Sequence, residues 1–239
     1  MWPQDSQMHW TWIEQLKCGE LVIDGPEAHH LLHVLRMRTG GSLALFDGLG
    51  NVADAVILET GRRDLRVRAT DIRQPQCRLK TRLTVAAAPP KGDRLRTMVE
   101  KLTEMGVHKL ILLETERSVT TPGEARVEKL RTSVVAACKQ ARRPLLMELQ
   151  PLTSFNSVLH QIVAENLTLF AAHPQEEPKP VSRSDGLAPL LLIGPEGGFT
   201  TQEVSRIHAA GAQFMAWPDT ILRTETAAVV FATVLLHSG

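Results

Sequence analysis

A chain of 239 residues with 43% apolar and 22% charged residues has room for one large domain or two small ones with packed cores. Its net charge of +1 does not by itself mark a nucleic-acid binder, and Cys18, Cys77 and Cys138 have neither metal-ligand spacing nor the even count of a disulfide set. No apolar run approaches the roughly 20 residues of a membrane helix, and Met1-Trp2-Pro3-Gln4-Asp5 lacks the basic and apolar regions of a signal peptide, so a reducing cytoplasm is the expected location.

Residues 1–73 read as mostly β. Residues 20–24 suit a short strand, and Gly25-Pro26 then opens a helix over 27–37, because proline fits the first helical position. Leu31, Leu32, Val34 and Leu35 form its expected apolar face, and Gly40-Gly41 its stop. Residues 42–46 and 51–58 are strands around the turn Asp47-Gly48. Residues 64–72 alternate, with Leu65, Val67 and Ala69 on one side and Arg66 and Arg68 on the other. That is a half-buried strand with a basic outer face, and a small barrel is the expected architecture. His29, His30 and His33 have helical spacing, but no zincin glutamate or further ligand accompanies them, so no metal is expected.

The pattern breaks at Gln74-Pro75-Gln76-Cys77, which divides the chain into domains 1–73 and 74–239. Strands then alternate with helices. Residues 83–88, 109–113, 146–149, 167–170, 190–193 and 213–217 are six strand candidates, with helices over 92–105, closed by Gly106, and within 122–142. This order predicts a mostly parallel sheet covered on both faces, with 174–189 as an exposed loop. Between Arg62 and Lys101 stand twelve Lys/Arg against four Asp/Glu. The excess is either an electrostatic footprint for phosphate or a set of solvated faces.

Two stretches carry the chemistry. Leu190-Leu191-Leu192-Ile193 leads into Gly194-Pro195-Glu196-Gly197-Gly198-Phe199, and Thr200-x-x-Glu203 is a capping box opening a helix. This glycine loop is either a plain tight turn or a ligand loop at the carboxyl end of a sheet. Ile221-Leu222-Arg223-Thr224-Glu225-Thr226-Ala227-Ala228 also enters a helix, with Thr224 as the expected cap and Glu225 near the positive helix end.

Together the two stretches resemble the cofactor loops of the SPOUT methyltransferases, and within them the RsmE family, which methylates N3 of a uridine in 16S ribosomal RNA. Lys91-Gly92-Asp93-Arg94 with Lys101-Leu102-Thr103-Glu104-Met105-Gly106-Val107, Arg117-Ser118, and the helix bearing Gln140 and Arg143 are similar to further motifs of that family. The stretch from Glu27 to Arg36 is similar to its N-terminal barrel. The resemblance implies an α/β protein in which a small PUA-like β-barrel precedes a SPOUT domain with a trefoil knot. It implies a homodimer using S-adenosyl-L-methionine, acting on 16S rRNA within the small ribosomal subunit. The cofactor would lie against Ile193, Gly194, Pro195, Glu196, Gly197, Gly198, Ile221, Leu222, Arg223, Thr226 and Ala227, so that Gly197→Val should weaken it. RNA would meet Arg36, Arg38, Arg66, Arg68, Lys91, Arg94, Arg117 and Arg143.

Catalysis on this reading falls to Arg223 and Glu196. Arg223 either stabilises an anionic acceptor or shapes its loop through a salt bridge to Glu196 or Glu225. Glu196 either takes a proton or holds a loop amide. The chain departs from the family pattern at Trp217-Pro218-Asp219-Thr220, where the family has "L-G-x-R", and at Lys139, where it has a glutamate; its first arginine is Arg36. The remaining alternatives are a SPOUT methyltransferase with another target and an RNA-binding protein that has lost catalysis. A dinucleotide enzyme is the weakest, since neither G-x-G-x-x-G nor a P-loop lysine motif is present.

Overall fold

Period-two alternation builds the N-terminal sheet. In β5 (Leu65–Arg73), Leu65, Val67 and Ala69 are buried and Arg66 and Arg68 exposed, as the pattern predicts. The computed structural model describes residues 8–76, 79, 81–174 and 187–237. The break at Cys77, most of the loop 174–189 and the first residues of the chain lie outside the described residues. β1 (His9–Trp12), β2 (Gly19–Ile23), β3 (Ser42–Phe46) and β4 (Val52–Thr60) join β5 in a five-stranded sheet of order β1-β3-β4-β5-β2. All neighbours are antiparallel except β1 with β3. β1 is not anticipated by the sequence reading. It owes its place to a parallel partner far along the chain, which local alternation cannot announce. Leu21, Ile23, Leu31, Leu43, Leu45, Ile57, Leu65 and Val67 fill the core beneath.

The helix expected over 27–37 differs in form. α1 (Gly25–His29) passes directly into a π-helical turn, His30–Val34, and ends at Leu35. Arg36 then takes a left-handed φ of 53°, and the Met37 amide donates to the Leu31 carbonyl at 2.9 Å. A π turn rotates each residue by less than an α turn, so the apolar stripe slips. Val34 is consequently 60% exposed instead of joining Leu31 in the core. The sheet also recruits residues from far downstream: the unit comprises Met1–Arg78 with Cys138–Leu146. Within it Leu146 N–H donates to Gly48 O at 2.9 Å and Gly50 N–H to Pro144 O at 3.1 Å. Lys139 Nζ reaches both carboxylate oxygens of Glu27 at 2.8 and 2.9 Å.

The second unit comprises Leu79–Ala137 and Met147–Gly239. Its six strands are β6 (Thr84–Ala87), β7 (Lys109–Glu114), β8 (Glu148–Ser154), β9 (Thr168–Ala172), β10 (Pro189–Ile193) and β11 (Gln213–Met215). They form one sheet of order β11-β9-β10-β6-β7-β8, parallel throughout. Six strands are expected and six are found, but β8 overlaps the expected 146–149 only at Glu148 and Leu149 and runs on to Ser154. β10 is buried at every position because both faces are covered. On one side Leu190 and Leu192 pack with Phe155, Val158 and Leu159 of α4 (Phe155–Ala164) and Ile207 of α5 (Thr201–Ala209). α6 (Thr224–His237) packs on β10 and β6, and against α2 (Arg94–Met105). Gly106 ends α2 at a left-handed φ of 94°, the expected stop. The remaining helix, α3 (Glu124–Ala141), is the long helix expected within 122–142. α4 was not anticipated. Ser154 ends β8 and at once caps α4, accepting from the Ser157 amide, so no turn residue separates the two.

Candidate functional site

Because β10 lies between β9 and β6, the chain leaving Ile193 emerges mid-sheet at the carboxyl edge, where open α/β sheets bind ligands. Residues 195–198 form a turn closed by Gly198 N–H on Pro195 O at 2.8 Å. Gly198 has φ +68°, and a side chain there would enter open space. A Cβ on Gly194 would come within 3.1 Å of the Phe199 ring, so this glycine lets Phe199 close beneath the loop. The expected capping box is present: Thr200 N–H donates to Glu203 Oε2 at 2.8 Å, and Glu203 N–H to Thr200 Oγ1 at 3.2 Å. Buried Glu203 uses its other oxygen to accept from Glu116 N–H at 3.0 Å, which ties in the loop after β7.

Two further arginines fasten this loop. Arg117 Nη1 donates to Gly197 O at 2.8 Å. Arg94 meets Glu196 at 3.0 Å and, more loosely, Glu225 at 3.7 Å. The second contact is coulombic only, since Glu225 Oε2 is buried and finds no hydrogen-bond donor among the described residues.

The other loop, residues 216–223, follows β11. Thr220 N–H turns back to Pro218 O at 2.9 Å, and Asp219 adopts a left-handed φ of 66°. Thr224 was the expected cap, yet it is the first residue of α6. The Arg223 carbonyl accepts from Ala227 N–H at 2.8 Å, the position a cap residue occupies. The buried Thr224 hydroxyl instead donates to Gly194 O at 3.3 Å and joins the two loops.

Between the loops lies a cavity of about 440 Å³, within the range of cofactor pockets. Ile193, Met215, Leu222, Ala227 and Phe231 give it apolar walls, and Glu196, Arg117 and Arg223 give it charge. Of the residues expected to hold a cofactor, Ile193, Gly194, Pro195, Glu196, Gly197, Gly198, Ile221, Leu222, Arg223 and Ala227 all line it. Thr226 does not; it is exposed on α6. Gly197 lines the cavity, but a Cβ there would point at Arg117, 3.5 Å from Cδ, an ordinary contact. A larger side chain at Gly197 therefore disturbs Arg117 first, and Gly198 is the position at which a side chain meets open space. Trp217, His173 and Met215 also line the cavity and were not singled out by sequence; Pro218 is not part of its wall.

Charge is distributed otherwise than expected. Glu196 and Glu225, the partners of Arg223 in the loop-shaping alternative, both belong to Arg94. Arg223 is exposed and makes no ion pair among the described residues. Of the arginines expected to meet RNA, Arg94 and Arg117 thus hold the loops, and Arg66 and Arg68 meet Glu59 and Glu20, each at 2.9 Å. Lys91, Arg36 and Arg38 are exposed, and Arg143 closes the end of α3 by donating its amide to Cys138 O at 2.9 Å. Among the described residues, no three His, Cys, Asp or Glu side chains gather as a metal would need.

Known proteins are similar to this chain in sequence and in fold. Residues 77–236 match the family model of an RNA methyltransferase domain, and residues 23–70 that of an RNA methyltransferase PUA domain. Ribosomal RNA small subunit methyltransferase E of Mycobacterium bovis is 31% identical over 218 residues, covering 87% of this chain and 83% of its own. The chain belongs to the ribosomal RNA small subunit methyltransferase E family. A Legionella pneumophila protein, solved in complex with bound cofactor SAM, superposes with a TM-score of 0.86 at 25% identity, covering 97% of this chain and 98% of its own. The family's enzyme from Neisseria gonorrhoeae, solved bound to S-adenosyl methionine, shares the fold at a TM-score of 0.87 and 24% identity, with 97% of each chain covered. The five-stranded sheet is thus the PUA-like part of this family, and the parallel sheet its methyltransferase part.

Proposed function

We infer that the protein is an S-adenosylmethionine-dependent methyltransferase of small-subunit ribosomal RNA, and propose that the acceptor is N3 of a uridine in 16S rRNA. The observation that carries the proposal is the cavity between the two loops, in which Arg223 is a guanidinium with no acidic partner among the described residues. The cavity fits the cofactor: it has apolar walls for a purine, a glycine at Gly198 that keeps space open, and charged groups at Glu196 and Arg223. When bound, S-adenosylmethionine supplies a methyl group already activated on a sulfonium.

The chain's own residues must then prepare the acceptor. N3 of uridine carries a proton at neutral pH; its loss to solvent water or hydroxide leaves negative charge spread over the flanking carbonyl oxygens. N3 then takes the methyl group, leaving the sulfonium a neutral thioether. Arg223, always charged, would stabilise that anion and lower the barrier to proton loss. Glu196 holds Arg94, so its role in this reading is to fix the loop, the structural one of its two alternatives. Arg94 and Arg117 orient the glycine loop.

The sequence-distant elements extend the proposal. The N-terminal sheet, domain 1–73 in this reading, binds RNA, and domain 74–239 carries the chemistry. The insertion of β10 between β6 and β9, with α6 returning to β10 and β6 after β11, supports a trefoil knot in that domain. α6 is apolar nearly all round, with Val234 36% exposed, which supports a homodimer. A ribosomal substrate supports a cytoplasmic location, and no helix among the described residues is long and apolar enough to cross a membrane. The best support for an RNA binder without catalysis is the departure from the family pattern at Pro218, and Pro218 lies outside the cavity wall.

Incubating the protein with unmodified small subunits and isotopically labelled S-adenosylmethionine tests the proposal. Mass spectrometry of the digested RNA should place the label on N3 of a single uridine. Label on a ribose hydroxyl or on another base would overturn the uridine-N3 assignment.

A further inference from the structure

The arginines of the N-terminal unit fall into two sets. Arg66, Arg68 and Arg73 all project from β5, and each meets an acid: Glu59 at 2.9 Å, Glu20 at 2.9 Å and Asp54 at 2.7 Å. Arg36, Arg38, Arg62 and Arg63 are exposed and meet no acid among the described residues.

Strand register brings the second set to one end of the sheet. Thr60, the last residue of β4, pairs with Leu65, the first of β5, and Ile23 at the end of β2 pairs with Leu65 from the other side. Arg62 and Arg63 are the tip of the turn between β4 and β5, which Gly61 N–H closes on Asp64 O at 2.9 Å. The segment holding Arg36 and Arg38 is tied to the same half of β4. Gly40 N–H donates to Ile57 O at 2.8 Å, Ile57 N–H to Gly41 O at 2.9 Å, and Gly41 N–H to Arg38 O at 2.9 Å. The left-handed turn at Arg36 is what sends the chain from the helix into this segment. Exposed carboxylates at this end are Asp24 and Asp64, while Glu59 is occupied by Arg66. Four guanidiniums therefore face two uncommitted acids.

We propose that this end of the N-terminal sheet, carrying Arg36, Arg38, Arg62 and Arg63, is where the RNA backbone docks, and that the β5 face carrying Arg66 and Arg68 is not. The proposal rests on the RNA-methyltransferase reading above. Binding of a phosphate backbone gains its free energy from cations that displace condensed counterions. A guanidinium beside a carboxylate brings no net charge to the backbone and displaces no counterion on balance, so it adds little. Four uncommitted ones deliver their charge in full, and arginine matches phosphate with paired donors.

Two double variants separate the surfaces: Arg62→Gln with Arg63→Gln, and Arg66→Gln with Arg68→Gln. All four side chains are exposed, and an unchanged melting temperature and cofactor affinity verify that each variant is folded. Binding to protein-free 16S RNA is measured across a salt series. The tip variant should bind about tenfold or more weakly, with a log–log salt slope shallower by roughly 1.4 to 1.8, the loss of two phosphate contacts. The face variant should stay close to the unmodified protein. A face variant that loses as much as the tip variant overturns the proposal. So does a tip variant impaired on assembled subunits but not on protein-free RNA, since the surface would then meet ribosomal protein. If neither variant loses affinity while both still methylate RNA, the docking surface is wrong and the methyltransferase reading stands. If the unmodified protein neither binds nor methylates RNA, that reading itself fails.

Discussion

The two loops that wall the cavity are held very differently. The glycine loop is fixed at Glu196 by Arg94, at Gly197 by Arg117, at Gly198 by its own turn, and at Thr200 by the capping box. The loop of residues 216–223 is joined to it by the Thr224 hydroxyl, and it leaves Trp217 46% and Ile221 82% exposed. A site that must hold one ligand while admitting a large second one benefits from this asymmetry. The fastened loop is a preformed cradle, and the loosely held one presents Arg223 to whatever enters.

The largest expected effect comes from the loose side. Arg223→Ala should lower kcat on small subunits by about 100- to 1000-fold, the usual loss when an anion-stabilising donor is removed, with cofactor affinity kept within a few-fold. The unmodified enzyme should also speed up toward alkaline pH as the acceptor proton becomes easier to lose. Calorimetry and single-turnover rates measure both, and parallel losses in binding and turnover would make Arg223 a scaffold residue.

The fastened side should respond in binding. Gly198→Ala forces a left-handed backbone on alanine, a cost of about 1–2 kcal/mol in stability, and sets a methyl group in the open space of the cavity wall, which should weaken cofactor binding. Gly197→Ala, whose Cβ meets Arg117 at ordinary contact distance, should be nearly silent. Titration calorimetry on the pair compares them, and equal effects would contradict the described loop geometry.

Smaller still, Arg94→Ala should weaken cofactor binding only a few-fold, because its pair with Glu196 is about one third exposed on both sides and such pairs contribute about 0–1 kcal/mol. Arg94→Lys should recover part of the loss. A fall in kcat without a change in affinity would mean that Arg94 acts on the acceptor instead of the loop. The smallest shift belongs to Thr224→Val, which removes the hydroxyl bridging the loops. A net hydrogen bond contributes about 0.5–1.5 kcal/mol, so melting should drop by roughly 1–6 °C with the cofactor absent. No change in melting would leave the two loops uncoupled.

What the sequence disclosed followed the range of the interactions involved. Continuous apolar runs such as Leu190-Leu191-Leu192-Ile193 announce strands buried on two faces, and Thr200 with Glu203 announces its own cap, since both are local. α4 is missed although Ser154 precedes Phe155, Val158, Leu159 and Ile162 at helical spacing, because the polar, proline-containing β8 runs into it without a break. β1 was not legible, because its strand character comes from β3. The cavity lining could be read from two motifs, whereas its fastenings could not. Arg117 finds the Gly197 carbonyl 80 residues downstream, and nothing in Arg117-Ser118 names that partner. For the same reason Arg66 and Arg68 read as a basic face, although each is neutralised by an acid on a neighbouring strand.

The segment Cys138–Leu146 has a consequence for how the chain is made. The N-terminal unit depends on it for the bonds at Gly48 and Gly50 and for the ion pair of Glu27 with Lys139. A ribosome releases the chain from its N-terminus, so this first unit remains incomplete until residue 146 has emerged. By then β6, α2, β7 and α3 are already outside the exit tunnel. The usual order, in which the leading domain finishes before the next begins, is not open to this protein. A fragment cut at residue 73 should accordingly be less stable than the same sheet in the whole chain, and fusing it to residues 138–146 should restore part of what was lost.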